Sequence, residues 1–256
     1  MIESGIHTVA IVGAGGQMGG LFQRDFSALG CAVTPLHQAS SDEAVASALD
    51  GCDLLLPCVP VTAMEAVLER MRPHLDDRTI LGDVGSVKVL PMRAMLAAHR
   101  GPVVGTHPLF GPVIPDGFTP RVAVVPGRAT DAEAAARVCA LFEACGYRCF
   151  TTTAEGHDRA MALVQGLNFT STVAFLAAAR DVEDIENFVT PSFRRRLDSA
   201  RKMLTMDSEL FEVIAEANPF LQETNRKFMS YLSLAAGGDL DLLAERAQWW
   251  WRNETY

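Results

Sequence analysis

None of the six cysteines (Cys31, Cys52, Cys58, Cys139, Cys145, Cys149) stands in C-x-x-C spacing or beside a histidine at zinc-ligand spacing. A disulfide scaffold and a metal site are therefore not expected, and reduced thiols in a reducing compartment are. Long apolar runs are missing too. The stretch from Leu54 to Val61 is broken by Pro57 and Pro60, far short of the roughly 20 residues a membrane span needs, so no bilayer helix is expected. The N-terminus carries no basic n-region ahead of an apolar segment, no secretory signal is readable, and a cytoplasmic location is expected. Positive charge is scarce: 22 basic against 31 acidic side chains give a net charge of −9. A nucleic-acid partner would need a concentrated basic stripe to overcome that repulsion, and none is expected.

The chain does have the means for a sizeable core. It has 256 residues, 49% apolar and 21% charged, which fits one large domain or two modest ones. From residue 7 to about 150, short β-branched runs bounded by Gly, Pro and Asp alternate with amphipathic stretches. Strands are predicted at Thr8 to Val12, Ala32 to Leu36, Leu54 to Val59, Thr79 to Asp83, Val103 to Thr106, Val122 to Val125 and Cys149 to Thr151. Helices are predicted near 17–29, 42–49, 62–71, 88–99 and 131–145. Strands that are apolar without alternation imply a sheet covered on both faces, hence a doubly wound, mostly parallel α/β sheet of Rossmann type. After Thr152 the strand signals stop. Helices are predicted at 154–180, 192–204, 208–232 and 239–251, which divides the chain into a dinucleotide-binding domain, 1–152, and a helical domain, 153–256. Thr152-Thr153-Ala154-Glu155 reads as a capping box with Thr152 as N-cap. The helix that follows is apolar nearly all round, more than one sheet face could bury, so a homodimer through the helical domain is expected. The Trp249-Trp250-Trp251 run reads as packing at a helix end.

The first chemical signal follows strand 1, where Gly13-Ala14-Gly15-Gly16-Gln17-Met18-Gly19-Gly20 opens a helix. Such a turn offers backbone N–H groups and a helix N-terminus to a dinucleotide pyrophosphate. The spacing is imperfect, and the preferred register is Ala14-x-Gly16-x-x-Gly19, with alanine in place of the first glycine. Residues 13 to 19 are the candidate cofactor cradle. Val59 and Pro60 at the end of strand 3, and Asp83 and Ser86 at the end of strand 4, are further candidates. The end of strand 2 reads Leu36-His37-Gln38-Ala39-Ser40-Ser41, with neither an acid for a ribose 2′-hydroxyl nor an arginine for a 2′-phosphate. His37 is the candidate there. NAD is the expected cofactor, with NADP left open.

Ligands of open α/β sheets bind beyond the carboxyl ends of the strands. There, Asp83-Val84-Gly85-Ser86-Val87-Lys88 follows strand 4, and Thr106-His107-Pro108-Leu109-Phe110-Gly111-Pro112 ends strand 5. The proline holds His107 in extended backbone, presenting its imidazole to the crevice. The first long helix carries a polar stripe of His157, Gln165 and Asn168. Its buried members need a ligand or internal partners, because an unpaired one costs about 1–3 kcal/mol. His157 lies in the first turn, whose positive end favours a neutral ring. Arg194-Arg195-Arg196 and Arg201-Lys202 place five cations within nine residues, suited to an anionic ligand or, through Asp198, to a self-neutralised helix face.

At these residues the chain resembles the prephenate and arogenate dehydrogenases of tyrosine biosynthesis. The resemblance is carried by the Gly-Gly-Gln-Met-Gly turn, Asp83-x-x-Ser86-Val87-Lys88, His107-Pro108-Leu109-Phe110-Gly111-Pro112, Glu155-Gly156-His157-Asp158-x-x-Met161-Ala162-x-x-Gln165, and Phe193-Arg194 with Asp207 and Phe211 downstream. It implies a Rossmann domain followed by a helical dimerisation domain. It also implies oxidative decarboxylation of a cyclohexadienol with hydride transfer to a nicotinamide. His107 would deprotonate the C4 hydroxyl, Ser86 would orient His107 and the hydroxyl, His157 would lie near the substrate side chain or the nicotinamide pocket, and Gln165 would lie at the substrate. Where the family places an arginine five residues before the position of Asp207, this chain has Lys202. A lysine offers a point charge where arginine offers a bidentate fork, so Arg194, Arg201 and Lys202 are all candidates for the ring carboxylate. Neither a fused mutase nor a regulatory domain is expected from these residues, and any tyrosine feedback is then expected at the active site. Three rivals stand beside this reading. One is a β-hydroxyacid dehydrogenase or imine reductase of similar architecture, the former expected to carry a lysine in the first long helix, absent from 154–180. A non-catalytic nicotinamide sensor would not need both histidines. A paralogue acting on an amino-substituted prephenate would share the ring contacts.

Overall fold

The structure is a computed structural model that describes residues 4–205 and 208–252; Asp207 lies outside them. Seven strands form one sheet in the order β2-β1-β3-β4-β5-β6-β7. They are β1 (Thr8–Val12), β2 (Ala32–Leu36), β3 (Leu54–Pro57), β4 (Ile80–Asp83), β5 (Val103–Pro108), β6 (Arg121–Pro126) and β7 (Arg148–Thr151). All neighbours pair in parallel except β5 and β6, which run antiparallel with His107 opposite Ala123. Helices α1 (Gln17–Ala28), α2 (Asp42–Leu49), α3 (Met64–Met71), α4 (Val89–Ala98) and α5 (Ala132–Ala144) connect the strands. The sheet separates two apolar layers, one around Phe22, Phe26 and Phe142, the other around Leu55, Leu68 and Met95. Both faces of the central strands are therefore buried, which is why those strands read as unbroken apolar runs.

The C-terminal part is helical: α6 (Ala154–Met161), a π-helical turn at Ala162–Leu167, α7 (Asn168–Arg180), α8 (Pro191–Thr205), α9 (Ser208–Ala217), α10 (Leu221–Ala236) and α11 (Leu240–Ala247). The chain forms two compact units, Met1–Met161 with Glu212–Asn218, and Ala162–Phe211 with Pro219–Tyr256.

Three local expectations are corrected. The cap of α6 is Thr153, whose Oγ1 accepts the Gly156 N–H at 3.0 Å; Thr152 still belongs to the sheet ladder, its N–H donating to Val124 O, so the helix opens one residue later. The helix predicted over 208–232 is two helices, because Pro219 lacks an N–H and biases Asn218 away from helical backbone. Finally, one helical stretch, Ala154–Arg180, is long and apolar enough to cross a bilayer by length and composition, with a mean hydropathy of 1.4. Its α6 end is buried at His157, Asp158 and Met161, while 28% of its most apolar 18-residue window is buried.

Candidate active site

Strand order reverses between β1 and β3, and the glycine turn stands at that switch point. Gly13 has φ +83°, and a Cβ on it would fall 2.6 Å from Cys58 O at the end of β3. A Cβ on Gly19 would fall 2.3 Å from Gly13 O. Gly16 is the N-cap of α1, with no side-chain bond to its first N–H groups. The tight-turn glycine is thus Gly13 and the fingerprint reads Gly13-x-x-Gly16-x-x-Gly19, correcting the register that began at Ala14. Ala14 is instead buried in the core. Gly15 sits beside the His37 ring, and Val59 lies against Gly13, with Pro60 exposed next to it. Gln17 and Met18 open α1. A cradle whose floor rejects a side chain and whose rim is a helix N-terminus fits a dinucleotide pyrophosphate.

The loop after β2 holds a group that local sequence could not reveal. Arg70 reaches from α3 to donate to Gln38 O at 3.1 Å and to Ser40 O, and it lies 3.5 Å from Asp42 Oδ1. Only tertiary packing brings it across the intervening 30 residues.

The catalytic candidate sits at the end of β5. His107 is buried, and its Nδ1 lies 2.8 Å from His157 Nε2. His157 Nδ1 lies in turn 2.8 Å from Asp158 Oδ1. Asp158 closes the chain on the N-terminus of α4, accepting from Lys88 N–H at 2.7 Å and Val89 N–H at 2.8 Å. Asn218 Nδ2 donates to Asp158 O at 2.8 Å, fixing that corner. Both nitrogens of His157 are therefore taken up inside the protein. Burial, reinforced by His157 and Lys88, holds the His107 pKa well below its ordinary value.

Beneath this row lies an ion pair between Lys88 and Asp83, each with a fully buried side chain. Lys88 Nζ also donates to Thr106 O at 2.6 Å, and Asp83 accepts from Gly85 N–H at 2.9 Å. The Asp83 carboxylate is thus spent on the loop that carries Ser86, which is half-buried. In the helical unit, Gln165 lies in the π-helical turn with its buried Oε1 lacking a hydrogen-bond partner. Turns of that kind are frequent at functional sites. Arg194, Arg201 and Lys202 are exposed on α8. Among the described residues no group of three or more His, Cys, Asp or Glu side chains is placed to hold a metal ion.

The fold and the glycine cradle define an α/β protein of the dinucleotide-binding class with a helical C-terminal part. Residues 34–151 match the family model for the prephenate dehydrogenase nucleotide-binding domain. The T-protein of Haemophilus influenzae is 32% identical over 82% of this chain, which spans just over half, 56%, of that relative. Among solved structures, Synechocystis arogenate dehydrogenase superposes with a TM-score of 0.76 over 94% of this chain and 96% of that one, at 21% identity. Prephenate dehydrogenase from A. aeolicus, in complex with hydroxyphenyl propionate and NAD+, does so at 0.70 over 95% of each chain, at 19% identity. The chain belongs to the prephenate/arogenate dehydrogenase family.

Proposed function

We propose that the protein is a nicotinamide-dependent dehydrogenase that converts prephenate to 4-hydroxyphenylpyruvate and CO2 in tyrosine biosynthesis. The observation that carries this reading is His107, a buried ring at the end of β5 whose Nδ1 is engaged by His157 and whose pKa is depressed. A base that stays neutral suits removal of a hydroxyl proton. The residues of the Gly13–Gly19 turn would hold the dinucleotide, which when bound supplies the hydride acceptor. His107 Nε2 takes the C4 hydroxyl proton as that carbon is oxidised. The electron pair of the C1–carboxylate bond then passes through the ring to the C4 oxygen, CO2 leaves, and the oxygen regains its proton from His107. Ser86 would orient the hydroxyl, and Arg194, Arg201 or Lys202 would attract the ring carboxylate. Gln165 belongs to the same reading as a substrate contact, and His157, with both ring nitrogens engaged within the protein, as the partner of His107. The cytoplasm is the proposed location and a homodimer through the helices the proposed assembly.

Arogenate is the second reading. The unpartnered Gln165 Oε1 favours it, because an acceptor lacking a donor is satisfied by a substrate ammonium. Absorbance at 340 nm with prephenate or arogenate and NAD or NADP, in all four combinations, tests both readings. A signal in one combination establishes the reaction and its specificities; silence in all four, with dinucleotide binding intact, overturns them.

A further inference from the structure

The row of hydrogen bonds from α4 to His107 has a direction. Asp158 accepts at both oxygens from backbone, Lys88 N–H at Oδ1 and Val89 N–H at Oδ2. A carboxylate held in this way is an acceptor only, so the contact between His157 Nδ1 and Asp158 Oδ1 is a donation from histidine. Neutral His157 then carries its single proton on Nδ1 and a lone pair on Nε2. That lone pair faces His107 Nδ1 at 2.8 Å, so His107 must supply the proton between the two rings. Its own lone pair is left on Nε2.

Burial, with His157 and Lys88 close by, favours the neutral form of the His107 ring. The groups facing the two histidines are the Lys88 ammonium with its Asp83 partner, from the β4 end and the loop before α4, and Asp158 from α6. His157 also lies in the first turn of α6, at the positive end of that helix. Helix α4 points its N-terminus at Asp158 and holds the carboxylate in its acceptor role.

We propose that His157 and Asp158 are positioning residues that lock His107 in the Nδ1–H tautomer, so that Nε2 is the nitrogen that takes the substrate's hydroxyl proton. The inference rests on the reading of His107 as the base and adds how the protein chooses which nitrogen acts. In turnover the proton moves from substrate oxygen to His107 Nε2 and back to the product oxygen. While both His107 nitrogens are protonated, His157 and the Asp158 carboxylate stabilise the cation through the same two hydrogen bonds. Without the lock the ring could present an N–H to the hydroxyl, and no proton could be taken.

The test reads the tautomer directly, with the full-length protein labelled with 15N-histidine and the His107 signals assigned by difference from His107→Gln. Long-range 1H–15N correlation spectra at pH 7.5 are expected to show His107 protonated at Nδ1 and bare at Nε2. In His157→Phe, which has no acceptor, the His107 proton is expected to move toward Nε2 and kcat to fall about 10³- to 10⁴-fold with KM little changed, the size of loss seen when a catalytic histidine is held in the wrong tautomer. In His157→Gln, whose amide oxygen can accept from His107 Nδ1, much of kcat is expected to return. Should the phenylalanine variant fail to fold, the wild-type spectrum and the glutamine variant still decide. A wild-type His107 protonated at Nε2, or a folded His157→Phe enzyme with undiminished kcat, overturns the proposal. A wild-type protein inactive on both substrates would instead count against the functional reading, while the spectrum still reports the tautomer.

Discussion

Lys88 and Asp83 form an ion pair in which neither side chain reaches solvent, directly beneath the strand end that presents His107. Lys88 also holds Thr106 O, the carbonyl just before His107, so the pair fixes the backbone from which the imidazole projects. Burial pulls the Lys88 ammonium down from its ordinary pKa, and Asp83 opposes that pull. Removing one partner leaves an uncompensated buried charge. Asp83→Ala is therefore expected to cost about 3–5 kcal/mol in urea unfolding at pH 7, and Asp83→Ala with Lys88→Met markedly less. Equal losses in the single and double variants would show that the pair is not what holds this loop.

The depressed pKa of His107 has a signed consequence. In the unfolded chain the ring titrates near its ordinary 6.5 and in the folded protein it titrates lower. Between the two values the unfolded state binds the extra proton. Stability therefore falls as pH drops from about 6.5 toward the folded pKa, and His107 contributes no slope above that window. His107→Gln should flatten this part of a stability curve measured by chemical denaturation. If His107 is the base, as proposed, the acid limb of kcat/KM is expected below pH 6.5, where the ring is still neutral. A limb centred above 6.5 would contradict the structure.

The glycine turn makes a graded prediction. A methyl at Gly19 meets Gly13 O at 2.3 Å and one at Gly13 meets Cys58 O at 2.6 Å on backbone with φ +83°. A methyl at Gly15 meets only the His37 ring, at 3.7 Å. Gly19→Ala and Gly13→Ala are expected to lose about 1–3 kcal/mol of stability and most dinucleotide affinity by calorimetry. Gly15→Ala should retain its stability. Equal behaviour of all three would reject the register centred on Gly13, Gly16 and Gly19.

Much of this architecture was legible in the sequence, for identifiable reasons. The central strands read correctly because both sheet faces are covered there and every second residue is as apolar as its neighbour, as in Leu54, Leu55 and Leu56. His107 was visible from Pro108 and its place at a strand's carboxyl end. What escaped reading depends on partners far along the chain. His107 and His157 are 50 residues apart, and Arg70 reaches the β2 loop from 30 residues away. No local pattern shows that the second nitrogen of His157 is committed to Asp158. The cap of α6 was misplaced by one residue because the bond that keeps Thr152 in the sheet ladder, its N–H to Val124 O, is tertiary.

The helical unit leaves Met229, Leu232, Leu240, Leu242 and Trp251 more than half exposed in the single chain. So much uncovered apolar surface on one unit is characteristic of an interaction site. Sedimentation equilibrium is expected to report a dimer, and Leu240→Glu with Leu242→Glu to shift it toward monomer. A monomer mass independent of concentration would remove the homodimer from the account.

The last prediction concerns the cations of α8. Arg194 and Arg201 are seven residues apart, two helical turns, so they share a face, and Lys202 stands beside Arg201. A side chain that grips the ring carboxylate makes a charge-assisted hydrogen bond worth about 1.5–3 kcal/mol, so its loss should raise KM by roughly 10- to 100-fold. Lys202→Ala or Arg201→Ala is expected to do so with kcat much less affected, because the carboxylate is held before and during the reaction alike. Lys202→Arg would then lower KM if a bidentate fork is what the position lacks. Wild-type KM in Arg201→Ala and Lys202→Ala alike would transfer the role to Arg194, where the alanine variant should then carry the whole effect.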